Sequence, residues 1–405
     1  MIKFKSHLPF PFEHTQKEKD DLLKDFHKTL SKDEIGFFTT FENESLLTKT
    51  KDVFNKTKQF KNFIHIGIGG SCLGPEMLIS AFPENNDTNF VFLNNTDPDD
   101  IFYKLKNINL DNSLIYVVSK SGGTAETIGI LNYIISHYEL DEEYIKNHII
   151  TCTTSGSGDL YEFSSEFGCK SLSVPKDVGG RFSILTPVGY LPALFAGIDV
   201  DELIKGAKEY QAELIRPDNQ CMEIALDIFK LYNSGVTQTV LMPYSSLLRD
   251  LSFWFVQLWA ESLGKNENFG LTPVPAYGAT DQHSQVQLFM EGPNNKYMML
   301  LEVENFVHKL PMSSKSNLKS FNKLSNYTVN QLIQAEFNGT LKALKNAGRP
   351  VLQITIPSRT PYYLGQLILF LETLTVYTAE MAGINAFNQP GVEAGKKYAF
   401  EYLES

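Results

Sequence analysis

Long hydrophobic runs are missing from this chain of 405 residues: none approaches the roughly 18 apolar positions that a membrane-crossing helix needs. A membrane role is therefore not expected. The amino-terminal stretch also lacks the apolar segment of a secretion signal, which makes a cytoplasmic location the expectation. Cysteine is scarce. Cys72, Cys152, Cys169 and Cys221 form no CxxC pair and no Cys/His spacing of the zinc type, which argues against a disulfide framework and against structural zinc. Positive charge is also in short supply, with Lys and Arg totalling 36 against 47 acids, a formal charge of −11. A nucleic-acid surface needs a concentrated basic field, so no nucleic-acid partner is expected. What remains is an ordinary globular composition, 42% hydrophobic and 20% charged, with enough chain for two domains with substantial cores.

From about residue 60 to 200 the pattern alternates strand and helix. Apolar runs at 63–66, 90–93, 114–118 and 149–153 are separated by helical stretches, the signature of a doubly wound parallel sheet in an α/β fold. Ligands of such sheets bind beyond the carboxyl ends of the strands. There the chain places Ser119-Lys120-Ser121-Gly122-Gly123-Thr124 ahead of a helix. Glycines allow close backbone approach, and the opening N–H groups of the helix favour an anion, with Ser119, Ser121 and Thr124 as extra donors. The same loop also reads as a plain helix start with Thr124 as N-cap. A second loop upstream, Gly67-Ile68-Gly69-Gly70-Ser71-Cys72, lacks the third glycine of a dinucleotide fingerprint, so a monophosphate suits it better than a nicotinamide cofactor. A third Ser/Gly loop at 153–159 follows the next strand. Further on, Gly179 and Gly180 precede Arg181, which would let backbone and guanidinium approach a ligand together. Read alone, a loop arginine is more often solvated.

The second half opens with an apolar strand at 239–242 and a helix at 246–263, whose stripe is Leu251, Trp254, Phe255 and Leu258. Glu261 projects from the edge of that stripe, where it suits a general base. It also reads as a surface carboxylate neutralised by Lys265. His283 stands in a polar loop beside Asp281, where an imidazole can be oriented and exposed. Strands at 297–303 and 351–356 follow, with a Ser/Asn/Lys-rich insertion at 311–330 between them and an apolar helix at 362–382 after them. The last segment runs through Gln389 and Pro390 to Lys396 and Lys397, a pair that also reads as solvated.

Taken together, the loop at 67–75, the loop at 119–127, Gly179 to Ser183, Glu261-Ser262-Leu263-Gly264-Lys265, Gln282-His283 and the segment from Gln389 to Lys396 resemble, in order, the shorter bacterial branch of the glucose-6-phosphate isomerases. The resemblance implies two doubly wound sugar-isomerase (SIS) sandwich domains with parallel-rich sheets flanked by helices. Its implied divisions are a helical arm at 1–55, SIS domains at 56–215 and 216–383, and a carboxyl-terminal helix at 384–405 that closes the active site. It also implies interconversion of glucose 6-phosphate and fructose 6-phosphate by a homodimer, with no cofactor and no metal. Gly70, Ser71, Ser119, Lys120, Ser121, Thr124 and Gly180 would hold the phosphorylated substrate, with Gln389 positioning it. Glu261 would shuttle the proton between C1 and C2, Arg181 would stabilise the enediolate, and His283 from the neighbouring subunit would open the ring with Lys396. Lys397 competes for that last role, and spacing from Gly391 favours Lys396. The alternatives are an isomerase also active on mannose 6-phosphate, or a non-catalytic sugar-phosphate-binding regulator.

Overall fold

The computed structural model describes residues 1–85 and 87–405. Its strands, in chain order, are β1 (Lys3–His7), β2 (Asn62–Ile66), β3 (Asn89–Leu93), β4 (Ser113–Val118), β5 (Ile149–Thr153), β6 (Lys170–Ser173), β7 (Gln238–Pro243), β8 (Thr272–Pro275), β9 (Lys296–Asn305) and β10 (Val351–Ser358). They form two five-stranded sheets. The first runs β3-β2-β4-β5-β6 and is parallel throughout; the second runs β1-β10-β9-β7-β8, parallel except for β1. Helices cover both faces, so central strands are buried on both sides. Every residue of β4 and β5 is buried.

The apolar runs read from the sequence are the central strands together with the edge strand β3. The strands it leaves unread lie at sheet edges. β8 is Thr272-Pro273-Val274-Pro275, and prolines belong in a strand only where a missing N–H faces no partner. β1 lies inside the arm expected to be helical. It pairs antiparallel with β10, packs Phe4 against Phe370 with ring centroids 4.3 Å apart, and keeps Lys3 and Lys5 along an otherwise open edge. The insertion at 311–330 contains a short helix, Lys319–Leu324, and is pinned by a bridge between Pro311 and Thr328.

One apolar core spans both halves, built around Trp254, Phe255, Leu258 and Trp259 of the Arg249–Leu263 helix and the long Pro361–Met381 helix. That second helix is buried continuously from Leu364 to Ala379, and burial pushes the Glu372 carboxyl within it well up, keeping it neutral. No helix among the described residues is long and apolar enough to cross a membrane. The shared core fixes the Arg249–Leu263 helix against the loops that leave the first sheet.

Candidate active site

The loop after β4 gathers three hydroxyls. Ser119 Oγ lies 2.8 Å from Thr124 Oγ1 and 3.4 Å from Ser121 Oγ, and Ser121 Oγ is 3.4 Å from Thr124 Oγ1. Thr124 occupies the N-cap position of the Ala125–His137 helix, yet its side chain makes no capping bond. Its hydroxyl joins the cluster instead, which leaves the first N–H groups of the helix open to an anion. Gly122 has φ +77°, and a Cβ there would sit 3.1 Å from Gly158 of the third Ser/Gly loop. That third loop therefore backs the 119–124 loop from behind: the Leu160 N–H donates to the Gly122 carbonyl at 3.0 Å. Lys120 turns its ammonium to the Lys176 carbonyl at 2.9 Å, so its main chain is the part left facing the cluster.

The loop after β2 is held from below by a residue that sequence reading passed over. His65 is wholly buried in β2 and its Nε2 meets the Ser71 carbonyl at 2.7 Å. Burial pushes its pKa down to about 4, against the favourable bond to that carbonyl, so the ring is neutral and donates through Nε2. Gly70 packs directly on the next segment: a Cβ on it would fall 2.3 Å from the Gly180 carbonyl carbon. The absence of a side chain at Gly70 is what brings the 67–72 loop against Arg181.

Arg181 is 3% exposed and spends its whole guanidinium on protein groups. Nε donates to Ser262 Oγ at 2.8 Å; one terminal nitrogen donates to Glu261 Oε2 at 2.9 Å and Gln389 Oε1 at 3.2 Å; the other donates to the Ala386 and Asn388 carbonyls. Burial lowers its pKa, and the Glu261 carboxylate works in the opposite direction. Glu261 is part-exposed, with 31% of its side chain open to solvent, and its other oxygen accepts from Gln257 Nε2 at 3.1 Å. Of the two sequence readings of Glu261, the pairing with Lys265 is not what forms. The Lys265 ammonium donates to the Asn388 carbonyl, and burial, with Arg181 nearby, brings its pKa down to about 8 against the pull of Glu261.

The expected site residues thus divide. Gly70, Gly180, Arg181, Glu261 and Gln389 converge on one cluster, with Ser71 on the loop that Gly70 seats. Ser119, Ser121 and Thr124 form the hydroxyl cluster at the end of the neighbouring strand β4. His283 is exposed on the short Thr280–His283 turn, and its ring has no hydrogen-bond partner among the described residues. Its neighbour Asp281 does not orient it, being engaged by the Tyr277 N–H at 2.8 Å and by Ser284. Lys396 lies on the exposed Glu393–Glu404 helix and pairs with Glu393 at 2.8 Å; Lys397 faces Glu401 at 3.7 Å. Unread in the sequence were His65, Gln257 and Ser262. Gln257 was findable, since a residue four positions before Glu261 on a helix shares its face.

Two parallel-rich sheets with Ser/Gly loops at the strand ends, beside a buried arginine paired with a half-open carboxylate, place the chain in the α/β fold of the phosphosugar isomerases. A family profile described as phosphoglucose isomerase matches residues 48–293 and 312–405, and the chain belongs to that family. It is 36% identical to the glucose-6-phosphate isomerase of Thermus thermophilus over 370 residues, 89% of this chain and 88% of the relative. It is also 36% identical to the glucose-6-phosphate isomerase of Carboxydothermus hydrogenoformans over 397 residues, 92% and 85% of the two chains. Among solved structures, a hypothetical protein of Thermus thermophilus superposes with a TM-score of 0.93 at 34% identity over the full length of both chains. A glucose-6-phosphate isomerase of Chlamydia trachomatis shares the fold, with a TM-score of 0.78 at 23% identity over 90% of this chain and 74% of that one.

Proposed function

We propose that this chain interconverts glucose 6-phosphate and fructose 6-phosphate by proton transfer through a cis-enediolate, as a cytoplasmic homodimer. The observation that carries the reading is the Arg181–Glu261 pair: a carboxylate open to solvent on one side, held by a guanidinium with no freedom of its own. The hydroxyls of Ser119, Ser121 and Thr124, with main chain from Gly70, Lys120 and Gly180 and the Ser71 hydroxyl, take the substrate and its phosphate. Gln389 positions the sugar, and the Glu261 carboxylate removes the C2 proton of the open-chain aldose and returns it to C1. The charge that builds on the C1 and C2 oxygens falls beside Arg181, whose dipoles are already oriented and need not reorganise.

Ring opening needs an acid and a base that one chain does not bring to this cluster. His283, exposed and unpartnered, serves from a second subunit, and the carboxyl-terminal helix closes to deliver Lys396 in place of its contact with Glu393. The test is isomerisation of fructose 6-phosphate, with glucose 6-phosphate read through a coupled dehydrogenase, for wild type and Glu261→Gln. Wild-type turnover with its loss in the variant, while sugar-phosphate binding persists, is the expected result. Undiminished turnover in Glu261→Gln removes Glu261 from the mechanism, and a wild type that binds fructose 6-phosphate without converting it removes the reaction.

A further inference from the structure

A hollow of about 720 Å³ opens where the amino-terminal strand meets the second sheet, lined by His7, Phe12, His14, Glu223, Lys345 and Arg349 among others. His7 pairs with Val351, the first residue of β10, so the hollow lies at the amino ends of the parallel strands. The candidate active-site loops leave the carboxyl ends of β2 and β4 in the other sheet.

One wall of this hollow is cationic and carries no counter-charge. Lys345 is exposed and forms no ion pair among the described residues. Arg349 gives one terminal nitrogen to the Met290 and Gly292 carbonyls, reaches no carboxylate, and keeps a buried Nε without a partner. His7 holds only Gln353, at 3.2 Å. Lys345 acts on His7, and Arg349 on Lys296. Burial lowers the His7 pKa against the bond it donates to the Gln353 oxygen, and Lys345 and Lys5 lower it further; burial lowers that of Lys296, with Arg349 adding to it.

The acids across the hollow are already engaged. Glu223 pairs with Lys19, and Asp227 takes His14 at 2.9 Å and Ser6 at 3.2 Å. They are committed within their own wall and neutralise nothing opposite. In a chain of net charge −11, an unneutralised cationic wall facing a concave space is the reverse of what the overall balance would place there. The volume lies within the range of small-ligand pockets, and Phe12, Pro9 and Pro11 add an apolar flank.

We propose that this hollow binds a small polyanion, phosphorylated or polycarboxylate, at a site separate from the sugar-phosphate loops, with Lys345, Arg349 and His7 supplying the contacts. Arg349 offers a guanidinium already anchored at one end, and Lys345 a flexible point charge at the rim.

The test is titration calorimetry with pyrophosphate and, in a separate arm, citrate, on full-length protein carrying Ser119→Ala and Thr124→Ala to weaken the sugar-phosphate loop. The expected result is binding of at least one anion at one per chain. Adding Lys345→Ala weakens it about tenfold, and Arg349→Lys, which keeps the charge, weakens it less. Far-ultraviolet circular dichroism checks that each variant is folded, and the exposed Lys345→Ala carries the decision if Arg349→Lys is not. The arm that binds identifies the anion class. Absence of binding by both anions at low-millimolar concentration, or affinities indifferent to Lys345, overturns the proposal.

Discussion

His65 makes the stability of this protein depend on pH in a direction that can be computed from its surroundings. Its Nε2 is committed to the Ser71 carbonyl, while Nδ1 is buried with no partner and the ring is packed among Phe63, Phe92 and Tyr116. Protonation would place a charged N–H where nothing can accept it. The folded pKa accordingly falls from 6.5 to about 4. The unfolded chain binds the proton first, so between those values the unfolded state carries more protons and stability rises with pH. The contribution is complete above pH 6.5 and is lost as pH falls toward about 4. At about 1.4 kcal/mol per pH unit this amounts to roughly 3 kcal/mol, a substantial part of the net stability of a folded domain.

The perturbation that isolates it is His65→Gln, which keeps an N–H donor for the Ser71 carbonyl and cannot titrate. Urea unfolding of both proteins, followed by the fluorescence of buried Trp254 and Trp259, is compared from pH 8 down to about 4. Other buried groups, Glu76 and Asp227 among them, have raised carboxyl pKa values and move both curves alike. The difference between the curves belongs to His65. Wild type is expected to lose ground on the variant steadily below pH 6.5, while the folded ring stays neutral and keeps seating the Ser71 loop until the pH nears about 4. Parallel curves, or a His65 ring proton that titrates near 6.5 by NMR, would refute the reasoning.

Two further outcomes follow from the same geometry. Arg181→Lys keeps the charge beside Glu261 but loses the fork that holds Ser262, Gln389 and two carbonyls, so kcat should drop about a hundredfold to a thousandfold; a lysine variant within a few fold of wild type in steady-state kinetics would show that charge alone suffices. Gly70→Ala puts a methyl group 2.3 Å from the Gly180 carbonyl carbon, forcing the 67–72 loop off Arg181 at a cost of about 1–3 kcal/mol; an unchanged melting temperature and unchanged kcat/KM would mean that loop and the Arg181 segment are not rigidly seated on each other.

The central strands were legible because a strand buried on both faces is written as an unbroken apolar run, as 114–118 is. The edge strands β1 and β8 carry no such mark, β1 reading Lys-Phe-Lys-Ser-His and β8 containing two prolines, whereas the edge strand β3 keeps an apolar run and was legible. The site divides in the same way. The glycine pair before Arg181 and the helix edge at Glu261 were each visible, but the bond between them spans 80 positions, and proximity in the chain pointed to Lys265 as the partner. What joins them is the shared core, in which Phe182 beside Arg181 packs with Trp254, Phe255 and Leu258 of the helix that carries Glu261.

The same arginine decides which part of the carboxyl-terminal segment can move. Ala386, Asn388 and Gln389 are tied to its guanidinium, and Asn388 also receives Lys265. From Pro390 onward every residue is exposed, including Tyr398, Tyr402 and Leu403 on the last helix. The boundary between the fixed and unpacked parts therefore falls between Gln389 and Pro390, immediately beyond the side chain assigned to position the sugar. A pivot there breaks no buried contact, leaves Gln389 on Arg181, and moves Lys396 as part of an intact helix. In the mechanism proposed above, closure by this segment would cost little in lost packing, and its equilibrium would be set by what the bound substrate offers Lys396 in exchange for Glu393.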